Sequence, residues 1–550
     1  MKNFFNRKTL GSDLIAGLTL GIESVPDGMA SGLLAAVNPI HGIYGYMVGT
    51  FTGAFVTSSV YMAVQAPSAM ALIVAGVPSV HGDENALESL VALTILTGIF
   101  VALMGLLKFG RFLRFVSNSV MVGFVTGVGV LTILGQLDNL TAYTSEGANR
   151  LVKTWDLIRH MDQIDMQTLF VGIVTIMLIL SLEKTRLKSL GLVVAIFLAS
   201  LLPAIFNWDS VAVVADIAEI PSELPRPVLP PLSIFPALIV PAISLALVAL
   251  VQGSGVSKAY ANPDGQFPDV DRDFIGQGIA NIFSGVFRGI PVSGSFSATA
   301  LSVDSGAKTR FALVFAGITM AVVLLVFGDA ISYLAMPALA GLLIVIGYRI
   351  IKLDDVRVVW RLGLYHETVM VFTFALTLVI PLQYAVFAGG ALSILMYVTR
   401  QSNRIKLVEW VRQPGDLPIE QDAPEEVPPD KATVLIPYGS LFYAAAQAFE
   451  EALPGVTEET DHAVVIISLR QRDDLGSTIF AVLERYADNL RGRNSLLMLA
   501  EVSDKTMAQY DSTGHIDIFG RDNLFRSTER PYESLQEALH QAEKWIAEQK

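Results

Sequence analysis

Ala66-Pro67-Ser68-Ala69 and Ser293-Gly294-Ser295-Phe296-Ser297-Ala298 are the two stretches on which the fold turns. Each sets a proline or glycine before a small polar residue inside an apolar run. Each is expected to open a hydrophobic helix too short to cross a bilayer, and the two stand at matching places in two hydrophobic halves. Paired interruptions of this kind are the best sequence pointer to the binding site of a transporter built from repeats. A helix N-terminus in a membrane carries unpaired N–H groups and partial positive charge, so the ligand it favours is an anion.

Composition agrees with that class. The chain has 550 residues, 52% of them hydrophobic and 16% charged, with a mean hydropathy of +0.53. A soluble domain carries about 25% charged residues. Up to Arg400 the sequence is a succession of apolar runs near the roughly 20 residues that span a bilayer. The run from Asp13 to Ala36 has no distinct cleavage site and is too long for a signal-peptide core, so no cleaved leader is expected. After Arg400 charged residues become frequent, and Pro418, Pro424, Pro428 and Pro429 punctuate an acidic stretch. The expected organisation is a cytoplasmic N-terminus (1–11), a first seven-segment repeat (12–206), an extracytoplasmic linker (207–231), a second seven-segment repeat (232–400), a linker (401–431) and a soluble domain (432–550). The net charge of −13 comes mostly from the tail and polar loops and does not point to nucleic acid. The absence of cysteine excludes disulfides and thiolate metal sites.

Fourteen hydrophobic segments, seven in each half, give an odd number per repeat, so the halves should have opposite orientations. The basic residues alternate accordingly. With Lys2, Arg7 and Lys8 inside, so are Lys108, Arg111 and Arg114, then Lys184, Arg186 and Lys188, then Lys308 and Arg310, then Arg349, Lys352, Arg357 and Arg361. Asp209, Asp216, Glu219 and Glu223 face outward with Arg226, and Arg400, Arg404 and Lys406 place the tail inside.

The first segment carries Glu23 and Asp27 within its apolar span. A carboxylate at the bilayer centre costs about 2.5–3.5 kcal/mol on insertion scales, so such a residue turns toward a bundle interior or a watery cavity. Two readings of Asp27 stand: it caps a helix portion after a break at Pro26, or it lines the transport site. Glu23 is read as sitting nearer an interface or pairing locally.

Asp13-Leu-Ile-Ala-Gly-Leu-Thr19 through Pro26-Asp27-Gly28-Met29-Ala30, with Pro39-Ile-His-Gly-Ile-Tyr44, resembles the first-segment signature of the sulfate permease (SulP) anion transporters. Asn281-Ile-Phe-Ser-Gly285 through Pro291-Val-Ser-Gly-Ser-Phe-Ser297, Ser305-Gly-Ala-Lys-Thr309, and Pro337-Ala-Leu-Ala-Gly-Leu-Leu-Ile-Val345 resemble its second-half motifs. The resemblance implies a seven-plus-seven inverted repeat. A core of segments 1–4 and 8–11 would move as an elevator against a gate of segments 5–7 and 12–14. The anion would sit between the facing ends of the two short helices, at Pro67, Ser68 and Ala69 and at Ser295, Phe296, Ser297 and Ala298. A homodimer is implied as well.

Two departures bear on the chemistry. Where many members have a glutamate in segment 8, this chain has Gln252, within Val251-Gln252-Gly253-Ser254-Gly255. Where many have an arginine after the Ser-Phe-Ser stretch, it has Ala298, and where many have glutamine it has Asp27. Losing both charges together avoids leaving one buried charge unpaired, which costs about 3–5 kcal/mol. The result is a site without a fixed cation and with one carboxylate. An anion 4 Å from an ionised Asp27 would be repelled by about 4 kcal/mol at an effective dielectric near 20. Protonation of Asp27, a sodium ion beside it, or a turn away from the site would remove the conflict. The first two couple the anion to H+ or Na+, with Asp27 as the coupling residue and Glu23 as a second candidate; uncoupled exchange through helix ends and hydroxyls is the alternative. Tyr61, Gln65, Ser68, Gln252, Ser295, Ser297 and Thr299 are candidate hydrogen-bond donors to the anion, and each could instead satisfy freed backbone. Phe296 is an apolar wall or core. His41, His81, His160 and His366 are scattered, so no metal site is expected, nor any cofactor.

From Ala432 strands and helices alternate, which indicates an α/β domain. Strands are expected at Thr433–Pro437, Ala463–Leu469 and Ser495–Leu499, and helices at Leu441–Leu453, Ser477–Leu490 and Tyr532–Glu548. Place and order resemble the STAS domain. In Asp473-Asp474-Leu475-Gly476-Ser477-Thr478 the spacing departs from the Asp-Ser-x-Gly pattern of phosphorylated relatives, so Ser477 is read as a helix N-cap with regulation by phosphate as the lesser reading. No catalytic triad or phosphate-cradling loop is present, so the chain reads as a transporter rather than an enzyme. The expected function is secondary active transport of sulfate, bicarbonate, chloride or a dicarboxylate. A nucleobase–cation symporter of the same fold and a membrane-anchored anion sensor without flux are the competing classes.

Overall fold

The computed structural model describes residues 7–82, 85–111, 117–147, 149–185, 190–217, 220–402, 404–413, 417–473, 475–513 and 519–550. Lys2, Arg114, Arg186, Lys188, Glu219 and Asp474, used above, lie outside the described residues. The chain divides into two compact units, Met1–Ser393 and Ile394–Lys550.

In the first half the main elements are α1 (Leu10–Leu34), α2 (Pro39–Val56), strand β1 (Val64–Gln65), α3 (Ser68–Ala75), α4 (Ala86–Leu106), α5 (Asn118–Leu134), α6 (Met166–Leu182) and α7 (Leu190–Phe206). The second half repeats the order with α8 (Phe235–Ala259), α9 (Val270–Val286), strand β2 (Ser293–Gly294), α10 (Phe296–Asp304), α11 (Phe311–Ser332), α12 (Met336–Ile350), α13 (Leu364–Val379) and α14 (Leu382–Ser402). Shorter helices include Leu137–Thr141, Arg150–Arg159 and Leu353–Arg361. Among the described residues five helical stretches are long and apolar enough to cross a membrane by length and composition.

The packing pattern reveals the inverted repeat. Helix α1 packs on α11, and α8 packs on α4; α2 packs on α11, and α9 on α4; α1 packs on α2, and α8 on α9. The same exchange relates α3 on α8 to α10 on α1, and α5 on α13 to α12 on α6. Adding seven to each label turns each of these contacts into another that also exists. Helices α1, α2, α4, α8, α9 and α11 form one packed group, and α5, α6, α7, α12 and α13 another.

Close helix approach rests on glycine. A Cβ at Gly42 would lie 1.8 Å from the Gly28 carbonyl oxygen, and one at Gly98 2.5 Å from that of Gly278. Both crossings exclude any side chain, the arrangement that drives helix association where lipid removes the hydrophobic effect. Gly42→Val should therefore separate α1 from α2 and lower stability by at least the 1–3 kcal/mol or so of an overpacked core. A thermal midpoint in detergent equal to that of the parent would contradict this.

Helix α1 corrects one sequence reading. It runs unbroken for 25 residues with Pro26 inside it, so Asp27 is not a cap after a break. The proline removes one intrahelical hydrogen bond, and neighbouring helices satisfy such freed groups in a bundle.

The second unit is a six-stranded sheet in the order β4-β3-β5-β6-β7-β8. Its strands are β3 (Lys406–Val411), β4 (Ile419–Asp422), β5 (Ala432–Tyr438), β6 (Val464–Ser468), β7 (Leu496–Val502) and β8 (Leu524–Arg526), and its helices α15 (Ala446–Ala452), α16 (Ser477–Arg491), α17 (Asp504–Thr513) and α18 (Glu533–Gln549). Strands β5 to β8 are parallel, and β3 is antiparallel to both its neighbours. Alternation sorts the strand residues: Val465, Ile467, Leu497 and Leu499 meet α15 and α16, while Val464, Ile466 and Met498 meet α18. Two corrections follow. The stretch 401–431, expected to be a linker, carries β3 and β4 of this sheet. Ser477 is the first residue of α16, and the N-cap position belongs to Gly476, which has no side chain to cap with.

Candidate functional site

The two interruptions meet. Strands β1 and β2 pair antiparallel, Val64 with Gly294 and Gln65 with Ser293, so the chain leaves the shared ladder in opposite directions into α3 and α10. These helices have eight and nine residues, about 12–14 Å at 1.5 Å per residue, against roughly 30 Å of hydrocarbon. Pro67 precedes α3 in extended conformation. Ser295 caps α10, its Oγ accepting from Ala298 N at 3.4 Å.

A two-residue ladder cannot satisfy its own backbone at membrane depth, and buried side chains complete it. On α9, Gln277 Oε1 accepts from Gly294 N at 2.9 Å; Asn281 accepts from Val292 N at 2.8 Å and donates to Val292 O at 2.6 Å. Asp273 Oδ1 accepts from Ser58 N and Oγ (2.6 and 2.7 Å) and from Ser59 N (3.0 Å), and its Oδ2 from Ser257 Oγ (2.7 Å). Asp273, Gln277 and Asn281 are all 0% exposed. Sequence reasoning missed them, although three polar residues spaced by four on one face of a membrane helix were the available signal.

Several candidates prove to be scaffold. Gln65 is buried, and its amide donates to Ser24 Oγ at 2.8 Å and Thr50 Oγ1 at 3.3 Å. Thr299 Oγ1 accepts from Ala63 N at 3.1 Å. Tyr61 packs against Ala16, Ala307 and Ala312, near the start of α1. Others stay with the helix ends. Ser68, Ala69 and Ala298 are buried in the first turns of α3 and α10; Ser295 Oγ lies 3.2 Å from Ser297 Oγ; Phe296 and Ser297 are exposed. The Phe296 ring rests on α8, where a Cβ at Gly255 would fall 2.5 Å from its Cζ.

Asp27 joins this end of the site through Tyr46. The Tyr46 hydroxyl lies 3.1 Å from Asp27 Oδ2, 3.0 Å from the carbonyl of Ala66 and 2.8 Å from Ser31 Oγ. Ala66 immediately precedes Pro67, so the carboxylate is tied to the entry of α3. Gln252 is the counterpart in the other half: α1 and α8 both have 25 residues, and Asp27 and Gln252 occupy the same position in each. Glu23, one turn before Asp27, has its Oε2 buried with no hydrogen-bond partner among the described residues. The reading of a site without a cation is amended by Lys352, whose ammonium lies 5.8 Å from the centre of the Phe296 ring. Among the described residues no cluster of His, Asp and Glu is arranged to hold a metal ion.

Inverted halves, a crossed ladder and two short helices starting from it define a membrane transporter with a central site of the kind that suits an anion. The chain belongs to the sulfate permease family, whose model matches residues 10–373, and it carries a STAS domain matched over 424–538. It is 24% identical over 530 residues to the putative sulfate transporter YvdB of Bacillus subtilis, covering 95% of this chain and 97% of that one. It is 26% identical over 532 residues to the probable sulfate transporter Rv1739c of Mycobacterium tuberculosis, covering 95% and 94%. Its fold is similar to that of the murine solute carrier 26 family member A9 anion transporter in the inward-facing state, with a TM-score of 0.84 at 18% identity over 98% of this chain and 92% of that one. These relatives are transporters, not enzymes.

Proposed function

We propose that this protein is a secondary active transporter of a small oxyanion, with sulfate the first candidate, bound between the first turns of α3 and α10 and coupled to H+ or Na+ through Asp27. The observation that carries the reading is the Tyr46 hydroxyl shared by Asp27 and the Ala66 carbonyl. It ties Asp27 to the entry of α3, which supports a carboxylate close to an anion held there. The backbone N–H groups of Ser68 and Ala69, and of Phe296 and Ser297, have no intrahelical acceptor by helix geometry and would receive the anion. Ser68, Ser295 and Ser297 would add hydroxyls, and Gln252 a neutral amide opposite Asp27. Sulfate is favoured because the relatives matched over nearly their whole length are named sulfate transporters.

Transport would follow from movement of the group α1–α4 and α8–α11 against α5–α7 and α12–α14, in a homodimer with the STAS domain on the cytoplasmic side. The ladder and its Asp273, Gln277 and Asn281 props belong to the first group, so the site would travel as one piece.

The test is uptake of labelled sulfate, bicarbonate, fumarate and chloride into proteoliposomes, with sodium and proton gradients imposed separately. Sulfate accumulation that rises with one gradient is the expected result. Flux indifferent to both gradients would leave an exchanger, and purine or uracil uptake would overturn the anion reading.

A further inference from the structure

We propose a second anion site, built around Arg288 at the end of the helices opposite Ser58, Gly110 and Lys308. A cavity of about 360 Å³ is lined there by Tyr44, Pro221, Glu223, Leu224, Arg226 and Arg288. Three separate pieces of chain form it: the first turns of α2, the stretch between α7 and α8, and the turn from α9 into β2.

The turn holds Arg288 in an unusual conformation. Its φ is +61°, a left-handed value that costs a non-glycine residue about 1–3 kcal/mol and persists only where its surroundings impose it. The surroundings do so: Arg288 N donates to Gly285 O at 2.9 Å, its carbonyl lies 2.7 Å from His41 Nδ1, and Ile290 N donates to His41 O at 3.1 Å. The opposite wall is pinned as well, because the Tyr44 hydroxyl donates to the Glu223 carbonyl at 3.1 Å.

The charges in this cavity do not balance. Arg226 pairs with Glu223 at 3.0 Å. Among the described residues Arg288 has no ion pair and no side-chain hydrogen bond, and its Nε is buried without an acceptor. A guanidinium partly withdrawn from water and left unpaired is unfavourable, and its planar fork matches a carboxylate or tetrahedral oxyanion. The ligand that completes the site is a small oxyanion, of the class proposed above for the central site. Bound here, it would raise the local concentration of substrate at that end of the transporter. That kinetic consequence rests on the transport reading; the binding does not.

The chain has no cysteine, so Leu224→Cys introduces a single thiol at a wall residue that is 47% exposed. Labelling of the full-length protein by a neutral maleimide is measured with sulfate, bicarbonate or chloride against a bulky anion at equal ionic strength. Sulfate should slow labelling several-fold; Arg288→Gln added to that protein should remove the protection, and Arg288→Lys should restore part of it. In uptake, Arg288→Gln should raise the half-saturating anion concentration about tenfold, the loss of one charge-assisted hydrogen bond, with the maximal rate little changed. Labelling indifferent to sulfate, or protection that survives Arg288→Gln, would overturn the proposal. Protection that persists when no protein shows uptake would sink the transport reading and leave this site standing.

Discussion

Asp27→Asn is expected to abolish gradient-driven accumulation, by tenfold or more, while leaving a folded protein that still binds the anion. The amide oxygen of asparagine accepts the same Tyr46 hydroxyl that Asp27 Oδ2 accepts at 3.1 Å, so the tie to Ala66 survives. The charge does not. An ionised carboxylate about 4 Å from an anion costs about 4 kcal/mol at an effective dielectric near 20, close to three powers of ten in affinity. In the parent, that penalty would be removed by the proton or sodium ion that travels along. In Asp27→Asn it is absent from the start, so anion affinity should no longer depend on pH or sodium. Full gradient dependence in the variant would remove Asp27 from the coupling role.

Asp273→Ala should have the largest effect on stability, about 3–5 kcal/mol. The side chain is fully buried and accepts four hydrogen bonds, from Ser58 N, Ser58 Oγ, Ser59 N and Ser257 Oγ. Alanine leaves the two backbone donors orphaned, and each buried orphan costs about 1–3 kcal/mol. Because these bonds hold the turn that leads into β1, the ladder should loosen with them. Thermal unfolding in detergent is the measurement, and Asp273→Asn, which keeps two acceptor sites, should fall between. A midpoint within about a degree of the parent would show that the network contributes little.

The sequence carried the architecture because its cues were local. Proline at 67 and glycine at 294 mark the interruptions by backbone rules alone, and α3 and α10 begin beside them. What escaped depends on partners distant in sequence. Pro26 lies inside α1 because packing around it compensates the lost bond, which no local rule encodes. Tyr46 reads as one more aromatic in an apolar helix until its hydroxyl is seen at Asp27, Ser31 and Ala66. Gln65 and Thr299 look like ligands to an anion by composition, yet their polar atoms serve neighbouring chain. In the second unit β4 escaped because it is exposed at every position, so it has no alternation to read; at Ser477, the glycine before it takes the capping position.

The exchange of contacts between the halves has an energetic consequence. If the two halves traded conformations, the helix pairs named above would each find a partner of the same kind, since α1 on α11 becomes α8 on α4 and α2 on α11 becomes α9 on α4. Packing of that kind is then available in both arrangements. The balance between two such states would be set by the positions where the halves differ in character. Asp27 against Gln252 is one, and Glu23 against Val248, at the same place in α8, is another. Where the same kind of packing serves both arrangements, one or two ionisable groups at such positions can tip the balance, with a bias no larger than the binding of a single ion supplies.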